Sequence, residues 1–123
     1  MILKDQLYKI LSADSDSRSF ELELLPDCVI YKAHFPERAI TPGVCIIQTA
    51  AELLGELTGR QHELAGVANA KYLAVIDPAK TPRVTYIFKK ISPDEESHTL
   101  KVSVEVRHQD TTYTKLSLIY NNR

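Results

Sequence analysis

Three features of this 123-residue chain carry groups that could do chemistry. His34 lies in the stretch from Ala33 to Glu56, AHFPERAITPGVCIIQTAAELLGE, where Pro36 and Pro42 fix φ and withhold backbone donors, so the imidazole rides on a stiff lead-in. Gly43 follows Pro42 and opens a long helical pattern. The first N–H groups of a helix lack intrahelical partners and carry partial positive charge, a place suited to a carbonyl oxygen that gathers negative charge. Gln48, Glu52 and Glu56, at i, i+4 and i+8, make one narrow polar stripe along that helix. The stretch thus presents a histidine beside a helix N-terminus.

These residues need elements that hold them. From Val44 to Thr58 nearly every position outside the stripe is apolar or small, so the pattern predicts a central helix over 43–59 that is apolar around most of its circumference and buried, with Gly59 as its left-handed cap. Leu3, Leu7, Ile10 and Leu11 sit at helical spacing and predict a short N-terminal helix over 1–12. Phe20, Leu22 and Leu24 alternate with acidic residues as in a half-buried strand, and Cys28 to Ala33 reads as a short strand feeding the His34 loop. Beyond the helix the pattern is β: Leu64 to Ile76, closed by Asp77-Pro78; Val84, Tyr86 and Phe88; a turn over Ser92 to Ser97; Leu100 to Val106; and Thr111 to Tyr120. One antiparallel meander wrapped around one helix, an α+β arrangement in a single domain over 1–123, follows from a sheet with one apolar face and a helix to cover it.

Composition narrows the function classes. Fifteen basic against sixteen acidic residues leave a net charge of −1, with no electrostatic footprint for nucleic acid and no patch for an anionic membrane. No window approaches a membrane span and no secretory leader pattern opens the chain, so a cytoplasmic protein is expected. Cys28 and Cys45 are too few and too far apart for a disulfide framework and read as packed thiols, while His62, His98 and His108 form no pair at metal-ligand spacing; no metal or cofactor is expected. Lys32, Arg38, Lys71 and Arg83 are either a basic rim for an acidic partner or ordinary solvated surface.

The run His34-Phe35-Pro36, then Pro42-Gly43-Val44 entering a helix, then Ala68-Asn69-Ala70-Lys71-Tyr72 on a strand closed by Pro78, resembles the hot-dog-fold 3-hydroxyacyl-[acyl-carrier-protein] dehydratases of fatty-acid synthesis. The resemblance covers roughly Ser17 to Tyr120. It implies a lyase of lipid metabolism that takes water from a 3-hydroxyacyl thioester carried on acyl carrier protein or coenzyme A. It also implies a homodimer or larger assembly, with each site built from the loop of one subunit and the helix of its partner. On that pattern His34 is the base, the Gly43 N–H holds the thioester oxygen, and Phe35, Ile40, Val44 and Ile47 wall the acyl tunnel. The chain departs from the family at Gln48, where the dehydratases place a carboxylic acid; an amide cannot serve as that acid. Glu52, one turn onward, is either a displaced acid or part of a wetted helix edge, and Glu56 reads as wetted edge. A non-catalytic acyl-binding or partner subunit and a hot-dog acyl thioesterase remain the alternatives.

Overall fold

The computed structural model describes residues 2–122. Six strands form one antiparallel sheet: β1 (Tyr8–Asp14), β2 (Ser19–Leu24), β3 (Leu64–Tyr72), β4 (Arg83–Asp94), β5 (Thr99–His108) and β6 (Thr111–Asn121), in the order β1-β2-β4-β5-β6-β3. Two helices interrupt the strands between β2 and β3, the short α1 (Val29–Ala33) and the long α2 (Gly43–Thr58). Strands β4, β5 and β6 are the expected meander; β3 crosses to the far edge beside β6, and β1 forms the opposite edge.

The alternation along the strands sets which face is buried. Phe20, Leu22 and Leu24, Val84, Tyr86 and Phe88, Leu100 to Val106 at every second residue, and Leu116, Leu118 and Tyr120 all point to one face. Against that face α2 lays Cys45, Ile46, Ala50, Leu53 and Leu54, all buried, and the Tyr86 hydroxyl donates to the Ile46 carbonyl at 3.1 Å. Full burial of a leucine such as Leu53 contributes about 1.5–3 kcal/mol. The helix ends where Gly59 adopts φ 77°, its N–H reaching the Gly55 carbonyl, a conformation glycine enters without a Cβ penalty.

Five expectations change. The predicted N-terminal helix over 1–12 is absent from the described residues, and Met1 lies outside them. One turn, with Gln6 and Leu7 N–H on the Leu3 carbonyl, leads into β1 instead, which pairs with β2. The i, i+4 spacing of Leu3 and Leu7 is met by that single turn, which buries both, while pairing with β2 supplies hydrogen bonds to the rest. Cys28 to Ala33 is not a strand but leads into α1; its apolar run is too short for periodicity to separate strand from helix, and the helical form buries Tyr31. The apolar run from Leu64 leaves the sheet after Tyr72, and the Ser92 region stays in β4 up to Asp94, so that turn falls later, around His98 at φ 53°. Finally, α2 is not buried all round: Val44 is 72% exposed and Gln48, Ala51 and Glu52 are half-buried, because the sheet covers only one side. Among the described residues no helix is long and apolar enough to cross a membrane.

Candidate active site

His34 caps the C-terminus of α1, its N–H on the Ile30 carbonyl at 2.9 Å. The chain then folds into a small closed turn: Phe35 N–H donates to Arg38 O, Arg38 N–H to Phe35 O, and Ile40 N–H to His34 O, at 2.8, 3.1 and 2.8 Å. The His34–Phe35 peptide is cis, and the two rings meet edge to face with centroids 5.6 Å apart. Both side chains are exposed. The turn is seated from two directions. Thr41 N–H donates to Ile76 O at 2.9 Å while its hydroxyl pairs with the buried Tyr31 hydroxyl at 2.8 Å, and Arg38 Nε reaches Asp77 Oδ2 at 3.3 Å.

Gly43 is the first residue of α2. The helix start carries no side-chain cap and no acidic residue in its first turn, so its leading N–H groups keep their donor character for a ligand. A Cβ at Gly43 would stand 2.7 Å from the Tyr72 hydroxyl oxygen and 2.8 Å from Cζ, so the phenol at the end of edge strand β3 lies close over the helix start. Beneath this end of the helix the phenols of Tyr31 and Tyr86 are both pushed up by burial, Tyr31 to about 12, so they stay protonated. The buried Cys45 thiol is likewise pushed up by burial, which suits packing rather than nucleophilic use.

Gln48 and Glu52 are brought together. Gln48 Nε2 donates to Glu52 Oε2 at 3.0 Å. Glu52 Oε2 also accepts Leu3 N–H at 2.7 Å, and Oε1 accepts Lys4 N–H and the Tyr8 hydroxyl, both at 2.8 Å. Tyr8 is fully buried, and burial first, then its bond to Glu52, pushes its phenol upward. Four donors therefore hold the Glu52 carboxylate, which fastens the N-terminal segment to α2. Glu56 pairs with Lys4 Nζ at 2.7 Å on the exposed side. A cavity of about 720 Å³ runs beside this stripe, past Gln48, Ala51, Glu52 and Gly55 toward His62 and Leu64. Of the expected tunnel residues, Phe35 and Val44 are exposed and Ile40 and Ile47 half-buried; His34 and the tunnel residues do not line that cavity. No group of three or more His, Cys, Asp or Glu among the described residues could hold a metal ion.

Sequence reading missed three contributors. Tyr72 counted only as part of a strand motif, Tyr8 as part of a helix, and Asp77 as a strand stop; the Asp-Pro pair after a long apolar run was the one signal for the last.

The fold is similar to that of several solved proteins. The dehydratase heterocomplex ApeI:P from Xenorhabdus doucetiae matches with TM-score 0.67 and 19% identity over 93% of this chain and 97% of that one. A homologue of HP0420 from Helicobacter felis matches with TM-score 0.69 and 11% identity over 100% and 93%. A candidate thioesterase related to phenylacetic acid degradation, from Ralstonia eutropha JMP134, matches with TM-score 0.61 and 11% identity over 96% and 86%. The six-stranded antiparallel sheet with its long helix is the hot-dog fold. Residues 11–116 match the model of the ApeI-like family, described as ApeI dehydratase, and the chain belongs to that dehydratase family. No curated protein matches it.

Proposed function

We propose that the protein acts on a 3-hydroxyacyl thioester carried by acyl carrier protein or coenzyme A, removing water between carbons 2 and 3, with His34 as the base. What supports this reading is the presence of an exposed imidazole on a closed, seated turn and of a helix start at Gly43 without a side-chain cap, in a chain of the ApeI-like family. The thioester oxygen accepts from the Gly43 N–H as enolate charge builds, His34 takes the proton from C2, and the imidazolium so formed returns a proton to the 3-hydroxyl oxygen as the C3–O bond breaks, so that water leaves. Phe35, Ile40, Val44 and Ile47 supply apolar surface for the acyl chain. Gln48 holds the 3-hydroxyl or a water by hydrogen bonding instead of supplying the proton.

Two copies of the chain form the working unit in this reading. Strand β3 is an uncovered edge with Leu64, Val67 and Tyr72 exposed, continued by Leu73 and Val75, an apolar ribbon that a second subunit would cover. Light scattering at micromolar concentration should give at least a dimer; a monomer would count against a shared site. A cytoplasmic setting fits substrates of this kind.

One observation favours a second reading. Gln48 stands where the family has an acid, and the nearest carboxylate on the stripe, Glu52, is engaged by four donors, as expected of an acyl-binding or partner subunit with the acid lost. The same engagement weighs against a thioesterase, whose water would need a free carboxylate base. Incubation with a 3-hydroxyacyl thioester separates the three by mass: loss of water, unchanged binding, or loss of thiol. In His34→Ala, exchange of C2 hydrogens into heavy water should vanish; exchange at the original rate removes His34 from the mechanism.

A further inference from the structure

Residues 32–38 are all exposed, so burial does not hold the His34 turn. Its own hydrogen bonds close it on itself but do not fix it to the rest of the molecule. At its base the turn is held by His34 N–H on the Ile30 carbonyl, by Thr41 N–H on the Ile76 carbonyl and by the Thr41 hydroxyl paired with the Tyr31 hydroxyl. At the tip, the tie is the Arg38 guanidinium on the Asp77 carboxylate at 3.3 Å. The two sides of this pair differ: the Arg38 side chain is 55% exposed and that of Asp77 only 8%. Asp77 is itself firmly placed, with Oδ1 accepting Ala79 N–H at 2.9 Å and its carbonyl accepting Lys80 and Thr81 N–H at 3.0 and 2.7 Å. A buried carboxylate demands charged or hydrogen-bonded partners, and Asp77 meets that demand by drawing in the one arginine of the His34 turn.

We propose that Asp77 is a positioning residue for His34, fixing the turn through Arg38 so that the imidazole stands at a set distance from substrate bound at the start of α2. This rests on His34 as the base. A pair exposed on the arginine side adds little to global stability, so its consequence lies in geometry. Misplacing a reacting group by about 1 Å can cost roughly a hundredfold in rate.

Asp77→Asn tests the idea cleanly, because the amide oxygen can still accept from Ala79 N–H while its NH₂ faces Arg38 as a second donor. With a 3-hydroxyacyl thioester, kcat should fall about 10- to 100-fold with KM changed less than about threefold. Arg38→Gln should do the same, and the double variant should be no slower than either single one, the signature of residues acting through one contact. In parallel, amide hydrogen exchange at Phe35, Arg38 and Ile40 should quicken about tenfold or more in Asp77→Asn, with Leu53 and Leu54 of α2 unchanged. Wild-type kcat in Asp77→Asn, additive losses in the double variant, or a fall in melting temperature with kcat intact each overturns the proposal. Should the wild type eliminate no water, the dehydratase reading fails by itself, and exchange alone decides: faster exchange confined to the turn supports the anchor, unchanged exchange overturns it.

Discussion

Replacing Glu52 with glutamine keeps the side chain's shape and removes its charge and one acceptor atom. In the native chain the two carboxylate oxygens accept from Leu3 N–H, Lys4 N–H, the Tyr8 hydroxyl and Gln48 Nε2. With an amide nitrogen at the Oε2 position, Gln48 can flip to present its oxygen, but Leu3 N–H loses its acceptor. With the nitrogen at the Oε1 position, the Tyr8 hydroxyl can turn to accept, but Lys4 N–H is left. Either way one backbone donor is orphaned, at about 1–3 kcal/mol, and the remaining bonds lose their charge assistance. The site is only half-buried, so water relieves part of this, and about 2–3 kcal/mol is the expected cost. For a chain of this size that lowers the melting temperature by roughly 10 °C, read by circular dichroism. Tyr8→Phe, removing one donor of the four, should cost about 1 kcal/mol. The reasoning is refuted if Glu52→Gln melts within a degree of wild type while turnover drops a hundredfold or more, for Glu52 would then be an acid and not an anchor.

Gln48→Glu would set a second carboxyl about hydrogen-bond distance from Glu52, where like charges force the pair to share a proton. The protonated member is a general acid, so elimination of water should rise, within the roughly hundred- to ten-thousandfold such catalysis is worth, and steady-state kinetics should show it. Gly43→Ala places a Cβ 2.7 Å from the Tyr72 oxygen. Because Tyr72 is half-exposed its ring can swing aside, so the melting temperature should shift by only a few degrees (~1 kcal/mol) while acyl-thioester turnover falls; in a Tyr72→Ala background the same change should cost less. The Asp77 carboxyl, which burial alone would push up, is held below the usual range by Ala79 N–H and Arg38. A lowered folded value means stability that is present above the ordinary aspartate value of about 3.9 and lost as pH falls through the folded value. Asp77→Asn should therefore flatten acid unfolding below about pH 4, and an unchanged acid limb in urea titrations would contradict it.

The sequence by itself determined the parts whose cause is local. Proline at 42, glycine at 43 and the apolar run to Leu57 specify a helix start and a helix, and glycine at 59 its end, because φ restriction and the left-handed cap act within a few residues. Period-two alternation likewise marked β2, β4, β5 and β6, since each strand has one buried face. The order of the motifs carried the family. What tertiary structure decided are pairings across long separations. The first residues could follow helical spacing in isolation, yet the carboxylate of Glu52, 48 and 49 positions away, holds Lys4 and Leu3 by their backbone and makes a turn and a strand there. The residues of α1 read as a strand from their short apolar run, and it is the helical form that buries Tyr31 in the fold. Which donors reach Glu52 and which carboxylate reaches Arg38 depended on what the fold brings within 3.3 Å, a property of packing that no spacing along the chain encodes.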